Sequence, residues 1–277
     1  MEENKANNEV LVNTENLLGE GLYVASNGLF WLDIISKKLF VKFDCEQVEE
    51  FTLPEMASSV WKVNGDLVYM VSVSGVCTFN LNTKSWRVLA GMPEKKIKLM
   101  RSNDGIGIND ECFLFGTMEL EPTGKEGALY IYDGKSIVKI YDGIGIPNSF
   151  IKVSDNTFLI SDSLEQKVYR FTLNKQLNAI IKKTLWLDLA DYEYTPDGGC
   201  CDDNANIYLS MWDGYCINKY DKNANLVSIY KLPVKRPTNC KLSNDKKHLV
   251  VTTAREGLSI DLLTNNPHSG SLLQIRL

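Results

Sequence analysis

Short runs of alternating apolar and polar residues, rich in Val, Ile, Phe, Tyr and Trp, recur along this chain and are set off by Asn and Asp turns. Period-two patterning of β-branched and aromatic residues marks strands whose side chains point to alternate faces. Six turns, at Asn27, Asn64, Asp110, Asp155, Asn204 and Asp245, are each followed by such a run, at residues 29–34, 67–73, 112–117, 157–161, 207–211 and 248–253. A second run follows in every case, at 38–43, 75–81, 128–132, 167–173, 215–220 and 271–277. Third runs are readable at 48–53, 86–89, 137–141, 180–187 and 226–232. The sixth cluster ends with the chain, and its missing strand is expected at 9–14.

The anchors are spaced by 37, 46, 45, 49 and 41 residues, close to the roughly 40 to 50 of a four-stranded propeller blade. The pattern predicts an all-β, six-bladed β-propeller, with residues 1–8 a flexible N-terminus and 9–277 a single domain. Pairing the N-terminal strand with the last blade closes the ring and removes two exposed sheet edges. Two packed sandwiches would use the same strands but leave one regularity unexplained. Seven residues before the anchors stand Glu20, Ala57, Asn103, Asn148, Asp197 and Thr238, four of them carrying a carboxylate or amide oxygen. In a propeller these positions converge at one mouth of the central channel.

Two carboxylates and an amide from separate blades, Glu20, Asp197 and Asn148, repel one another unless a cation lies between them. Hard oxygen donors without imidazole or thiolate favour Ca²⁺, Mg²⁺ or Mn²⁺. Taken singly, an Asx residue before a strand is ordinary turn chemistry. The shared repeat position is what makes these three a candidate metal set.

Composition narrows the field. The 277 residues carry a formal net charge of -5, and no Lys/Arg stripe or interleaved aromatic platform argues for nucleic acid. The first eight residues are polar, with neither the apolar stretch of a signal peptide nor a membrane span, so a cytoplasmic protein is expected. Seven cysteines without a C-x-x-C pair read as reduced thiols. Alternation should bury only one of the vicinal pair Cys200 and Cys201. His248 and His268 have no His partner at ligand spacing, which rules out an all-histidine zinc site. A nucleophile elbow, phosphate loop and dinucleotide fingerprint are all missing.

Several short motifs, in order and spacing together, resemble the senescence marker protein, gluconolactonase and luciferin-regenerating enzyme family. They are Leu18-Gly19-Glu20-Gly21, Arg101-Ser102-Asn103-Asp104-Gly105, Gly116-Thr117-Met118, Pro196-Asp197-Gly198 with Cys201-Asp202, the segment from Leu232-Pro233 to Thr238, and Thr253-Ala254-Arg255-Glu256-Gly257. The resemblance implies a six-bladed propeller that holds one divalent cation, Ca²⁺, Mn²⁺, Zn²⁺ or Mg²⁺, through Glu20, Asn148 and Asp197. It also implies that Arg101, Asn103 and Glu121 bind a sugar lactone. The chain departs from the family pattern at Leu22, where Pro is usual, at Ser149, where Gly is usual, and at Leu242-Ser243-Asn244, where Gly-Gly is usual.

A metal-dependent lactonase follows as the leading expectation, the metal polarising the carbonyl and Asp197 orienting or deprotonating water. The alternatives are a phosphotriesterase-like hydrolase and a non-catalytic calcium- or sugar-acid-binding propeller. The expected partner is a small-molecule sugar lactone, with neither nucleic acid nor membrane; oligomeric state is not legible.

Overall fold

Each cluster of runs folds into one antiparallel sheet, and six sheets surround a central channel as a six-bladed β-propeller. The computed structural model describes residues 2–4, 8–44, 46–93 and 99–277. Blade 1 runs from the channel outward as Gly19–Ala25, Gly28–Asp33, Lys38–Phe43 and Glu49–Thr52. The inner strands of blades 2 to 6 are Ala57–Asn64, Met100–Gly107, Pro147–Ser154, Thr195–Cys201 and Pro237–Leu242. Each inner strand packs on the next, and the sixth packs on the first.

The ring closes as the sequence predicts. Asn8–Val12 lies antiparallel to Leu272–Arg276, with Val10 opposite Leu273, starting one residue earlier than the 9–14 reading. Glu2–Asn4 runs parallel to Leu226–Lys231 of blade 5, so part of the segment read as a flexible tail has a strand partner. Residues 1 and 5–7 of that segment lie outside the described residues, as does Cys45.

Both faces of every blade are buried, so alternation distributes side chains between two neighbours instead of between core and water. In blade 3, Leu114 packs with Phe150, Phe158 and Ile160 of blade 4. Its chain neighbours Phe113 and Phe115 pack with Val71 and Val76 of blade 2. Cys200 and Cys201 divide the same way, one against the blade 5 and 6 cluster and the other against the blade 4 and 5 cluster. Both are part-buried, so the expectation that one is buried and the other not is replaced by an even split between two cores.

The anchor residues occupy or border the turns between the first and second strands. Strands rise about 3.3 Å per residue, so seven residues carry the chain through the disc to its opposite face. There the inner strands lose regular pairing with their neighbours, at Glu20/Tyr23, Ser102/Gly105, Asn148/Ile151, Pro196/Gly199 and Pro237/Cys240. Bulges of this kind re-aim side chains out of the pleat, here at the repeat position. One element was not anticipated: a short helix, Ile260–Asn265, whose first turn is capped by Ser259 Oγ accepting from the Leu262 N–H at 3.2 Å.

Candidate functional site

The segments that deliver the repeat residues are clamped by an equivalent carboxylate in two blades. In blade 1, Asp33 accepts from the N–H groups of Leu17 at 2.8 Å and Leu18 at 3.2 Å, just before Glu20. In blade 4, Asp162 accepts from Gly145 at 2.9 Å and Ile146 at 3.1 Å, just before Asn148. Both are buried at the end of a second strand. Neither is marked out in the sequence, where Asp33 lies within the run 29–34 and Asp162 just past the run 157–161.

Two backbone positions explain the small residues around Glu20 and Asn148. Gly21 has φ +61°, and a Cβ there would stand 2.8 Å from the Ser58 carbonyl oxygen. At Ser149 the chain adopts φ 61° without glycine. Its hydroxyl, shared with Ser161, donates to the Asp197 carbonyl in the next blade. The departure at this position therefore trades backbone freedom for a tie between the strands that carry Asn148 and Asp197.

Glu20, Asn148 and Asp197 are 5, 7 and 6 % exposed and line one cavity of about 400 Å³ together with Arg101 and Asn103. A polar relay crosses it. Arg101 Nη1 donates to Asn103 Oδ1 at 2.6 Å, Asn103 Nδ2 to Asn148 Oδ1 at 2.8 Å, and Asn148 Nδ2 to Ser163 Oγ at 3.1 Å. The Ser163 hydroxyl in turn donates to the Pro196 carbonyl at 2.6 Å. Glu20 Oε2 accepts from Gly21 N–H at 2.9 Å and from Asn239 Nδ2 at 3.3 Å.

The electrostatics are strained in one direction. Burial, and then the charge of Asp104, push Glu20 up to about 8. Burial, followed by the charges of Glu20 and Asp104, raises Asp197 well above the usual carboxylate range. Asp104 is raised by its own burial. Arg101 is lowered by burial, against the opposing pull of Glu256, Glu20 and Asp197. Two carboxyl groups buried on one cavity need protons or a cation to offset their charge.

The donor set fits a hard cation: two carboxylates, with an amide oxygen already oriented by Asn103 and Ser163. Among the described residues no three Asp, Glu, His or Cys side chains come together as a metal site. A cation here therefore depends on the amide and on water to complete its shell.

Of the residues expected at the site, five line this cavity and one does not. Glu121 lies exposed on the loop between Phe113–Glu119 and Gly127–Tyr132, while its neighbours Leu120 and Pro122 border the cavity. Trp212, Arg236 and Glu256 also line it and were not singled out from the sequence. Arg236 and Glu256 do fall inside segments that carried the family resemblance.

Residues 18–255 match the SMP-30/Gluconolactonase/LRE-like region. The chain belongs to that family. It is 29 % identical to bovine regucalcin over 91 % of this chain and 87 % of the relative. It is 25 % identical to the putative sugar lactone lactonase YvrE of Bacillus subtilis over 95 % of this chain and 92 % of the relative. Among solved structures, a calcium-binding regucalcin from Agrobacterium tumefaciens superposes with a TM-score of 0.90 at 25 % identity, over 96 % of this chain and 92 % of the other. No helix among the described residues is long and apolar enough to cross a membrane.

Proposed function

We propose that the protein is a divalent-metal-dependent hydrolase that opens sugar lactones. The observation that carries this reading is the convergence of the buried Glu20 and Asp197 carboxyls on one cavity beside the oriented amide of Asn148, where Arg101 is also presented. Family membership and the names of the relatives, regucalcin and a putative sugar lactone lactonase, support the substrate class.

When bound, a cation supplies Lewis acidity at the lactone carbonyl and offsets the negative charge that develops there. Glu20, Asn148 and Asp197 hold it. Asp197 also orients water and accepts its proton as the oxygen adds to the carbonyl carbon. The ring C–O bond then breaks as Asp197 returns that proton to the ring oxygen, and the hydroxy acid that leaves ionises to its carboxylate, releasing one proton at neutral pH. Arg101 and Asn103 fix the ring against rotation, which lowers the entropic part of the barrier. The Arg101 fork suits an oxygen-rich ligand.

A pH-indicator assay with aldonolactones of five and six carbons, run with Ca²⁺, Mn²⁺, Zn²⁺ or Mg²⁺ and with chelator, tests the reading. Each hydrogen bond to a substrate hydroxyl carries roughly 1 to 3 kcal/mol against an analogue that lacks it. Sugar lactones should exceed unsubstituted lactones of the same ring size at least tenfold in kcat/KM by that reasoning, and Arg101→Ala should shrink the ratio. Equal turnover of the two classes, or faster turnover of a phosphotriester, rejects it.

A further inference from the structure

The cavity has a wall that the metal set and the Arg101–Asn103 relay do not supply, built from blades 5 and 6 by Trp212, Arg236 and Glu256. Trp212 ends the strand Ile207–Trp212 and packs, part-buried, on the cluster of Leu18, Ile34 and Ala254. The Arg236 guanidinium stacks over its ring at 4.6 Å. Asp213 holds that guanidinium, accepting from Nε at 2.6 Å and from Nη2 at 3.4 Å. The remaining arm, Nη1, donates to the Glu256 carbonyl.

Glu256 is thereby fixed at its backbone from two sides, because its own N–H donates to the Leu17 carbonyl at 2.9 Å. Its side chain is left to solvent and to the cavity it lines, and its charge is the foremost one acting on the part-buried Arg101. An acceptor on blade 6 and a donor on blade 3 thus border the same cavity, with an aromatic ring on blade 5. A sugar ring presents hydroxyl edges that both donate and accept, and C–H faces that are apolar. Charge-assisted hydrogen bonds suit the first, and an aromatic surface suits the second.

We propose that Glu256 and Trp212 determine specificity at this site: the Glu256 carboxylate accepts hydrogen bonds from substrate hydroxyls, and the part of the Trp212 ring left uncovered by Arg236 and the apolar cluster packs on sugar C–H groups. Arg236 is a positioning residue for both. The inference rests on the sugar-lactone reading for the class of ligand, but binding tests it without hydrolysis. It assigns to Glu256 the acceptor role that the sequence placed on Glu121.

The experiment combines lactone kinetics with calorimetric binding of a sugar lactam, the non-hydrolysable amide counterpart of the lactone, to the metal-loaded protein. Glu256→Ala is expected to raise KM for the polyhydroxylated lactone and Kd for the lactam about tenfold, with kcat within about threefold. KM for an unsubstituted lactone stays near wild type, which a general folding defect would not allow. Glu256→Gln, close in shape, moves both constants the same way by a smaller factor. Trp212→Phe weakens lactam binding less than Trp212→Ala, and Arg236→Lys raises KM for the sugar lactone alone. Glu121→Ala costs less than Glu256→Ala.

Wild-type affinity in both Glu256 variants, a larger loss from Glu121→Ala, or equal slowing of both lactone classes overturns the assignment. A wild-type protein that binds the lactam but hydrolyses no lactone refutes the hydrolase reading. In that case weaker lactam binding by Glu256→Ala still supports the wall. Failure of the wild type to bind the lactam overturns the wall itself.

Discussion

Removing divalent cations with a chelator and then raising the pH should destabilise this protein, opposite to the usual effect of leaving acid. Glu20 sits at about 8 in the fold instead of 4.5, first because burial strips water from its charged form and then because of Asp104. A carboxyl group whose folded value is raised contributes stability in full below its unfolded value and loses it as pH climbs through the folded one. The window is therefore pH 4.5 to 8. With about 1.36 kcal/mol for each pH unit that separates the two values, Glu20 alone removes about 5 kcal/mol across it. Asp197 is raised in the same direction.

Surface carboxylates held low by their turns, such as Asp133, Asp221 and Asp245, have the opposite sign. They lose their contribution only as pH falls through the acid range, so they do not mask the effect. A loss of about 5 kcal/mol lowers Tm by on the order of 10 °C in a chain of this size. A cation held between the two carboxylates replaces the protons, so stabilisation by metal should grow with pH. Thermal melts in chelator and in excess Ca²⁺ or Mn²⁺ from pH 5 to 8.5 read this directly, with Glu20→Gln flattening the metal-free slope. A metal-free Tm that is flat or rises across this range, or a Glu20→Gln variant that behaves as wild type, refutes the reasoning.

Asp197→Asn should keep the fold and lower kcat by about 10² to 10⁴, since the amide coordinates but does not accept a proton; near wild-type kcat in steady-state assays would remove the base role and leave the ligand role. Ser149→Ala should cost about 1 to 2 kcal/mol, because the positive φ persists while the tie to the Asp197 carbonyl is lost. Ser149→Gly should cost less, having relieved the backbone, and denaturant midpoints that rank the two variants the other way count against this account. Deleting residues 1–12 removes the clasp on Leu272–Arg276 and the packing of Val10, so the truncated chain should melt lower and aggregate through the bared edge; scattering-monitored melts identical to the full chain would contradict it.

What the sequence determined by itself was everything periodic. Alternation and the spacing of Asx turns placed six blades, the N-terminal clasp and the repeat position that holds Glu20, Asn103, Asn148 and Asp197, because a strand of fixed rise carries equivalent residues to the same face of the disc. The closing strand was readable from a simple deficit, one strand short at the end of the chain. What only the tertiary structure decided lies between blades. Asp33, inside the run 29–34, and Asp162, just past the run 157–161, have no local mark that sets them apart until their carboxylates are seen to hold the segments that present Glu20 and Asn148. Glu121 and Glu256 are both loop carboxylates, and nothing in local pattern says that the first is turned to solvent while the second borders the cavity. The reason is physical: periodicity fixes which face a strand residue takes, whereas a loop side chain is aimed by partners far away in the chain, such as Arg236 and Leu17 at Glu256, that no local window contains.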